Sequence, residues 1–484
     1  MLKIYDTLTR EKREFKPRDP GRIGIYVCGV TPYAPTHIGH ARVSVLWDVI
    51  KRYFEYKGYA VTLIQNFTDI DDKIIIKAQQ EGTEAGKIAE RYIEDYFEVM
   101  TALGVRPADH HPRVTQEIPE IITMIQGLIE GGHAYEAEGD VYFDVASFPE
   151  YGKLSGRSPE EMEAGARVEV SSRKRNPLDF ALWKGAKPGE PAWESPWGMG
   201  RPGWHIECSV MSRKYLGDGF DFHGGGLDLI FPHHENEIAQ SEVYSGDDFA
   251  RYWVHNGMVQ VDKEKMSKSI GNTSAVREVL RKWDPLVIRY FLISTHYRSP
   301  LNFSPEELTA ASKGLERLVT AQKRLIKVAA MTPKIAGEKA VEIENLNQGL
   351  EQVKIDFEAA MNDDLNTALA ISTLFNLVRM INPYLNQALL GQEEYQTQAW
   401  IELFTRYRDV LELFGNILGI MPTEATEHSG DDQLIGRLIE LLLEVRNRAR
   451  AAKNWDLADL IRDRLGQLGI EVKDVDNGTV WEWK

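Results

Sequence analysis

Short apolar runs and one amphipathic segment alternate near the start of the chain. An apolar run at 22–28 is followed by turn-forming residues at 29–35, and apolar side chains then recur at helical spacing over 40–56. A second apolar run follows at 60–65. This order of strand, helix and strand predicts a βαβ unit, which is the building block of a parallel sheet with crossover helices.

The pattern changes after this unit. Residues from about 110 to 200 are rich in Gly, Pro and aromatic residues and contain one strand-like run at 140–145, so they predict an insertion in the sheet. We expect the parallel sheet to resume at 218–223 and to run past 253–259. No G-x-G-x-x-G turn follows the first strand, which argues against a dinucleotide-dependent dehydrogenase.

The second half of the chain shows helical spacing. From 304 to about 419, apolar residues such as Leu308, Leu369 and Leu374 are spaced for packing between helices. Residues 421–433 are polar and predict a linker. One more helix is expected to open after it, with the apolar residues Leu434, Leu438, Leu441 and Val445.

Three domains follow from these patterns, since the chain is too long for one hydrophobic core. The predicted fold class is α/β. We expect a Rossmann-like parallel-sheet domain over 1–303, an α-helical bundle domain over 304–420 and a small C-terminal domain over 434–484.

Composition excludes several classes of protein. The chain has 484 residues, of which 43% are hydrophobic and 27% charged, as in an ordinary globular protein. We expect a cytoplasmic protein with no membrane association, because the N-terminus has no apolar signal-like region and no run of about 18 apolar residues occurs. The two cysteines, Cys28 and Cys208, are then thiols or metal thiolates rather than a disulfide framework.

The charge of the chain limits its binding to nucleic acids. A net charge of −16 argues against broad nonspecific binding, because neutralising phosphates needs clustered Lys and Arg. A local exception is 446–453, which holds three Arg and one Lys but no acid. Such a run is more often a solvated helix face than a binding patch.

Two short strings have side chains suited to nucleotides. His37-Ile-Gly39-His40 lies where the first strand meets its helix, and imidazoles donate to phosphate oxygens while glycine permits close approach. Lys265-Met-Ser-Lys268-Ser falls in an expected loop over 263–272, where two lysines would neutralise a triphosphate. Each string alone has a plain alternative, namely two ordinary histidines and a solvated surface loop.

Both strings in this order resemble the signatures of class I aminoacyl-tRNA synthetases, and the surrounding blocks resemble the cysteinyl-tRNA synthetases. These blocks are Tyr26-Val-Cys28-Gly29 and the stretches 66–73, 201–209, 222–229 and 231–240. The resemblance runs from Met1 to Lys484. It implies an enzyme that activates L-cysteine with ATP, releases pyrophosphate and transfers the cysteine from cysteinyl-adenylate to the terminal ribose of cysteine tRNA.

The resemblance also implies one tightly bound zinc ion per chain. Cys28, Cys208, His233 and Glu237 would supply two thiolates, an imidazole and a carboxylate. His233 and Glu237 are four residues apart, so they share a helix face if Pro232 opens a helix. His234 competes for the ligand role, and spacing does not exclude it. In the family the substrate thiolate joins the metal, which separates cysteine from serine without an editing domain.

Other roles follow from the resemblance alone. Cys28, Gly29, Thr68 and Trp204 would form the amino-acid pocket. His37, His40, Lys265 and Lys268 would stabilise the phosphate in the transition state, with Gly39 beside them and with Gly225 and Asp228 near the adenosine. Magnesium would accompany ATP, whereas Asp69, Asp71 and Asp72 fit turn and helix-start roles better than a magnesium site.

The C-terminal segment distinguishes the function implied by this resemblance from two alternative functions. The resemblance assigns anticodon recognition to Arg450, Trp455, Asp459, Arg462 and Asp474. A mycothiol-type cysteine ligase shares the catalytic half but lacks this segment. A non-catalytic zinc and RNA-binding protein would be expected to lose a signature lysine, and none is missing. The resemblance therefore implies a monomeric member of the cysteinyl-tRNA synthetase family, with a catalytic domain over 1–303 and an anticodon-binding domain over 434–484.

Overall fold

A computed structural model describes most of the chain. The described residues are 1–158, 173–261, 264–265, 275–334, 341–422, 424–468, 470–475 and 478–483. They form two compact units, Met1–Met421 and Pro422–Lys484. Among the residues described, no helix combines the length and the apolar character that crossing a membrane would need.

Strands and helices alternate through the first unit, and helices dominate its end. The strands are β1 Lys3–Asp6, β2 Glu11–Glu14, β3 Arg22–Val30, β4 Ala60–Phe67, β5 Ala134–Ala137, β6 Asp140–Phe143, β7 Phe180–Gly185, β8 Gly200–Pro202, β9 Phe220–Gly226, β10 Ala250–Asn256, β11 Val259–Val261, β12 Glu264–Lys265, β13 Leu301–Phe303, β14 Ile470–Val475 and β15 Gly478–Trp483. The α-helices are α1 Ile38–Tyr56, α2 Asp72–Glu81, α3 Ala85–Ala102, α4 Ile118–Glu130, α5 Trp204–Leu216, α6 Glu235–Ser245, α7 Val276–Leu280, α8 Pro285–Ile293, α9 Pro305–Ala329, α10 Val341–Asn362, α11 Thr367–Leu389, α12 Gln398–Leu418, α13 Glu424–Ala451 and α14 Trp455–Gln467.

Four parallel strands form the central sheet in the order β10-β9-β3-β4. The register places Tyr26 opposite both Ile64 and His223. The chain therefore runs outward from β3 to β4 and later returns to the other side of β3. This reversal between β3 and β9 is the point at which open α/β sheets form a crevice for ligands at the carboxyl ends of their strands. The predicted Rossmann-like parallel sheet is confirmed.

The predicted insertion contains a sheet of its own. β5 to β8 form an antiparallel sheet in chain order. The strand expected at 140–145 ends at Phe143, because Asp144 Oδ1 accepts a hydrogen bond from Ala146 N at 3.1 Å and starts a 3-10 turn. Sheet residues of the insertion lead directly into helix α5, which carries two of the predicted site residues.

Helices α9 to α12 pack on one another, with α9 also in contact with α8 and α12 in contact with α1. Leu308 and Leu374 are buried as expected, whereas Leu369 is 51% exposed. The prediction for Leu369 is wrong because this residue lies in the first turn of α11, where Asn366 Oδ1 caps its N–H on the solvent side.

The second unit differs from the prediction at its start. Helix α13 begins at Glu424, so residues 424–433 are helical where the sequence predicted a polar linker. Among its described side chains, those of Ile439, Leu443, Arg446 and Ala449 are buried, while Leu438, Leu441 and Val445 are 40–56% exposed. The side chain of Leu434 lies outside the described residues. The helix buries the face one residue away from the predicted stripe, because α14 and β14 supply the apolar partners of that face.

Arg289 links the sheet domain to the helical bundle. It lies on α8, and its fully buried guanidinium has Nη2 2.5 Å from Asp48 Oδ2 on α1. Its Nε donates to Leu418 O at 3.1 Å, and its Nη1 donates to Gly104 O at 3.1 Å. One side chain thus holds the end of α12, the end of α3 and the helix behind the central sheet together.

Replacing Arg289 by methionine is expected to lower the free energy of unfolding of the first unit by about 3 kcal/mol. The buried Asp48 then keeps only the less buried Arg52 and Arg106 as counter-ions, and two carbonyl oxygens lose their donor. A thermal unfolding curve measures this loss. Arg281→Met is the matched control, since Arg281 pairs with Glu278 at the surface, and its effect should stay within about 1 kcal/mol. Equal melting temperatures for the two variants would contradict the prediction.

Candidate active site

The predicted site residues meet at the carboxyl ends of β3 and β9. Cys28 and Gly29 lie at the end of β3, and Gly225 lies at the end of β9. Helix α1 starts just beyond β3, so its amino end points to the same edge of the sheet. The crevice between the two strands therefore collects both a thiol and a helix N-terminus, which attracts anions.

A cluster of potential metal ligands lies in this crevice. Four buried residues each bring one ligand atom to this place, and these four atoms lie within 4.8 Å of one another. The residues are Cys28, His233, His234 and Glu237. Cys208 is also buried, with its Sγ 3.8 Å from Cys28 Sγ. We name these five residues the metal cluster. It contains the four predicted ligands together with their predicted competitor, His234.

Four separate elements bring the cluster together. Cys28 comes from β3 and Cys208 from α5. His233 and His234 lie in a π-helical turn over Ile230–His234, and Glu237 lies in the first turn of α6. The helix expected to open at Pro232 therefore begins at Glu235 instead. His233 and Glu237 nevertheless meet, with His233 Nε2 2.8 Å from Glu237 Oε1.

The donor atoms fit a zinc ion. Two thiolates bound to one tetrahedral zinc at about 2.3 Å lie about 3.8 Å from each other. The Sγ atoms of Cys28 and Cys208 have that separation of 3.8 Å, whereas a disulfide needs about 2.05 Å. Glu237 Oε1 lies 3.7 Å from Cys28 Sγ, so a carboxylate oxygen lies beside the thiols. Sulfur, imidazole and carboxylate donors together match the ligand chemistry of zinc.

Burial and neighbouring groups shift the pKa values within the cluster in different directions. Burial opposes ionisation of Glu237, but His223 and His233 together lower its pKa to about 2. Burial also disfavours protonated His233, yet the Glu237 carboxylate raises its pKa to about 10. Burial would raise the pKa of Cys208, but hydrogen bonds from Cys28 and His233 lower it to about 6. For Cys28 the shift is upward, because burial and the neighbouring Cys208 both raise its pKa.

Further histidines surround the cluster. His223 Nε2 lies 2.7 Å from Glu237 Oε2, and His255 Nε2 lies 2.8 Å from His234 Nδ1. His205 Nδ1 lies 3.0 Å from His233 Nδ1. Partners of this kind fix the orientation and protonation of ligating side chains. Sequence reasoning missed these three histidines, because each comes from a different element and only the packing of these elements brings them to the cluster.

The predicted amino-acid pocket adjoins the cluster. Trp204 is 40% exposed, and its ring stacks on that of His233 with centroids 4.2 Å apart. Thr68 is buried, and Gly29 N donates to Asn66 Oδ1 at 2.9 Å. A Cβ on Gly29 would lie 1.5 Å from Asn66 O, so only glycine permits this approach. The structure thus places Gly29 and Trp204 next to the metal cluster, since Gly29 follows Cys28 in β3 and Trp204 stacks on His233.

The first signature forms the start of helix α1. His37 is its N-cap, and the rings of His37 and His40 stack with centroids 3.5 Å apart. His40 N donates to His37 Nδ1 at 3.4 Å, and His37 N donates to His40 Nδ1 at 3.5 Å. Gly39 lies between them in the first turn. Both imidazoles are therefore fixed at the positive end of a helix that opens on the crevice.

Gly225 and Asp228 lie where β9 ends. A Cβ on Gly225 would lie 2.8 Å from the His234 ring, so the strand end packs directly against the metal cluster. Asp228 is exposed in the 3-10 turn Leu227–Leu229 that follows. An exposed carboxylate at the strand end can accept hydrogen bonds from hydroxyl groups of a ligand.

The second signature lies largely outside the described residues, and so does Lys268. The backbone of Lys265 is described, and it pairs with Gln260 between β12 and β11. Beyond residues 266–274, which are not described, the chain meets the start of α1. Ala275 forms a β-bridge with His37, and Val276 N donates to Thr36 O at 2.8 Å. The described residues that follow the second signature are thus hydrogen-bonded next to the first signature.

The anticodon candidates lie in the second unit. Trp455, Asp459 and Arg462 lie on one face of α14, and Trp455 is 56% exposed. Arg462 Nη1 lies 3.3 Å from Asp459 Oδ1, and Arg462 Nη2 lies 3.2 Å from Asp463 Oδ1. Arg450 lies in the last turn of α13. Asp474 lies in β14 opposite Thr479, and only its backbone is described.

Comparisons with known proteins match most of the chain. The family model of the tRNA synthetases class I (C) catalytic domain matches residues 14–313, the DALR domain matches 356–422, and the cysteinyl-tRNA ligase anticodon binding domain matches 438–481. A cysteine–tRNA ligase of Pelotomaculum thermopropionicum is 52% identical, with 99% of each chain covered. That of Carboxydothermus hydrogenoformans is 51% identical, with 99% of this chain and 100% of the relative covered.

Solved structures share the fold at low sequence identity. A Mycobacterium tuberculosis methionyl-tRNA synthetase in complex with methionyl-adenylate has a TM-score of 0.61 at 17% identity, over 83% of this chain and 90% of that chain. An Agrobacterium radiobacter LeuRS in a ternary complex with tRNA and LeuAMS has a TM-score of 0.60 at 12% identity, over 84% and 85%.

Proposed function

This chain belongs to the cysteine–tRNA ligase family of class I aminoacyl-tRNA synthetases, and from that premise we propose which of its residues bind the amino acid, the nucleotide and the tRNA. As a cysteine–tRNA ligase it joins L-cysteine to cysteine tRNA at the expense of ATP. The observation that supports our assignment best is the pair of buried thiols, 3.8 Å apart, in the crevice beside the first signature.

We assign one zinc ion to Cys28, Cys208, His233 and Glu237. A bound zinc ion supplies a soft Lewis acid that prefers a thiolate to a hydroxyl, which separates cysteine from serine. The protein residues orient the substrate. Trp204 covers His233 with its ring and forms one wall of the pocket, and Gly29 and Thr68 border the position of the substrate backbone.

ATP binds at the amino end of α1 in this proposal. His37, Gly39 and His40 contact the phosphates there, while Gly225 and Asp228 contact the adenosine. Lys265 and Lys268 neutralise the charge that grows on the leaving pyrophosphate, and magnesium accompanies ATP. The cysteine carboxylate attacks the α-phosphorus in line, so the enzyme needs no covalent nucleophile and acts by positioning and electrostatic stabilisation.

The second unit reads the anticodon. Arg450, Trp455, Asp459, Arg462 and Asp474 supply aromatic, cationic and acidic groups for bases that are splayed out of a loop. The match of residues 438–481 to an anticodon binding domain supports tRNA as the acceptor rather than an amino sugar. We propose that the enzyme acts as a monomer in the cytoplasm.

An ATP–pyrophosphate exchange assay tests this function. Purified protein should incorporate labelled pyrophosphate into ATP when cysteine is present and should not do so with serine. Exchange that is independent of the amino acid, or no exchange with any amino acid, would contradict the proposed activity. Charging of cysteine tRNA in the same preparation separates the ligase from an enzyme with an amino-sugar acceptor.

Lys268→Ala is expected to slow adenylate formation about a hundredfold while cysteine binding changes little, because losing one contact made in the transition state costs roughly 3 kcal/mol. Single-turnover kinetics at saturating ATP measures the rate. Lys282→Ala is the control, because this lysine lies beyond α7, outside the signature, and its rate should equal that of the unaltered protein. An unchanged rate in Lys268→Ala would remove this lysine from the catalytic residues.

A further inference from the structure

A buried arginine in α1 binds backbone carbonyl groups. Arg42 follows His40 by two residues and is 2% exposed. Its Nη1 donates to Gly257 O at 2.7 Å, and its Nη2 donates to Ser299 O at 2.6 Å. Because burying a cation is costly, such a guanidinium needs its hydrogen bonds. Weaker hydrogen bonds at 3.2–3.5 Å join it to three more carbonyl oxygens, those of Met258, His296 and Tyr297.

These carbonyl groups belong to two segments that lead into one small sheet. Residues 257–258 join β10 to β11, and residues 294–300 join α8 to β13. Strand β11 pairs with β13 on one side and with β12 on the other. Strand β12 ends at Lys265, the first residue of the second signature. Arg42 therefore ties the start of α1 to the sheet from which the second signature leaves.

The two segments also hold each other. Gly257 N donates to Tyr297 O at 2.8 Å, and Leu301 N donates to Met258 O at 3.0 Å. A Cβ on Gly257 would lie 2.4 Å from Ser299 O, so the backbones touch at this point. Because they pack this closely, a displacement of one segment displaces the other, and β11 and β13 move with them.

The other end of the second signature is fixed to the same region. Val276 N donates to Thr36 O at 2.8 Å, and Thr36 N donates to Asp95 Oδ2 on α3, also at 2.8 Å. The carboxylate of Asp95 forms an ion pair with Arg277, which lies on α7. Both described ends of the second signature therefore attach around the start of α1, through Arg42 before the signature and through Asp95 after it.

We propose that Arg42 is a positioning residue for adenylate formation, which sets the place of the second-signature lysines relative to the histidines of the first signature. A displacement of about 1 Å can cost on the order of a hundredfold in rate. Arginine suits this role, because its planar fork reaches both segments, whereas lysine has a single nitrogen. Asp95 has the same role at the other end. This inference rests on the proposed function, since it takes those lysines to act on ATP.

The alternative is that Arg42 only stabilises the fold. A substitution would then lower the amount of folded enzyme, or slow the reaction by the same factor whether or not the signature lysines are present. A positioning role acts through the lysines, so the effect of the substitution should shrink once a lysine has been removed. The coupling between the two substitutions therefore separates the two roles.

A double-mutant cycle of Arg42→Lys and Lys268→Ala tests the proposal. Single-turnover kinetics at saturating ATP and cysteine measures the rate of adenylate formation by folded, zinc-loaded enzyme. Arg42→Lys alone should slow this step by about a hundredfold. In the Lys268→Ala background the same substitution should slow it by about tenfold or less. The dissociation constant for cysteine, measured by calorimetry, and the zinc content should stay unchanged in Arg42→Lys.

Arg52→Lys is the matched control. Arg52 also lies in α1 and donates to two carbonyl oxygens, those of Gly104 and Asn416, near the other end of the helix. Its replacement removes contacts of the same kind without touching either end of the second signature. The rate of adenylate formation in Arg52→Lys should equal that of the unaltered enzyme.

Asp95→Asn repeats the cycle at the other end of the second signature and serves as the test if Arg42→Lys does not fold. It should show the same coupling to Lys268→Ala. An equal loss of rate in both backgrounds, or no loss in either positioning variant, would overturn the inference. An unchanged rate in Lys268→Ala alone would instead refute the role proposed for the second signature.

Discussion

Cys208→Ala is expected to lose bound zinc and, with it, the preference for cysteine over serine. Removing one of four ligands should weaken zinc binding by more than a hundredfold, because even the partners of ligands contribute roughly 10–100-fold. Without the metal, sulfur and oxygen differ little in shape, so the preference for cysteine should fall on the order of a hundredfold or more. Elemental analysis measures the zinc, and exchange kinetics with both amino acids measures the preference.

The two neighbouring histidines provide the internal control for this prediction. His233 contacts Glu237 at 2.8 Å, whereas His234 Nε2 lies 3.2 Å from Cys28 Sγ and its Nδ1 lies 2.8 Å from His255. We expect His233→Asn to lose zinc and His234→Asn to retain most of it. The reverse result would move the imidazole ligand to His234. Full zinc content in Cys208→Ala would show that the second thiol is not a ligand.

Ending the chain after Met421 is expected to leave cysteine activation largely intact and to reduce charging of tRNA by at least a hundredfold. The boundary between the two compact units lies after this residue. A cut within the predicted linker, for example near Ser429, would instead fall inside helix α13. All candidate activation residues precede Val276. The candidate base contacts lie beyond the cut, and each is worth about 1–3 kcal/mol, so the loss of two or three is large.

Exchange and charging assays on the same truncated protein check this prediction. Trp455→Ala in the full chain is the matched point variant, because the 56% exposed ring is available for stacking on a base, and its loss should be smaller than that of truncation. Normal charging by the truncated protein would remove the anticodon role from the second unit. Loss of exchange as well would show that the second unit supports the fold of the first.

The sequence predicted the central sheet well because its signals are local. The runs at 22–28 and 60–65 and the amphipathic segment at 40–56 became β3, β4 and α1 with shifts of about two residues. Side chains on a strand or helix repeat with the period of the element, so burial on one face leaves a readable pattern. The order of these elements then predicted the crevice.

Local patterns failed where burial depended on distant partners. The apolar residues Leu438, Leu441 and Val445 marked a plausible face of α13, yet the helix buries Ile439 and Leu443 instead. Both stripes are apolar, and packing against α14 and β14 determines which of them is buried. The polar residues 424–433 were predicted as a linker, because a helix without an apolar stripe gives no periodic signal.

The sequence by itself determined the types of residue that this protein brings to its chemistry: two thiols, a histidine–glutamate pair at helical spacing, a histidine signature at the start of a helix and a lysine signature in a loop. Only the tertiary structure decided that His223, His205 and His255 surround the ligands and that Arg42 meets the carbonyl oxygen of Gly257, 215 residues away along the chain. The physical reason is that spacing constrains side chains within one element, whereas contacts between elements depend on how the whole core packs.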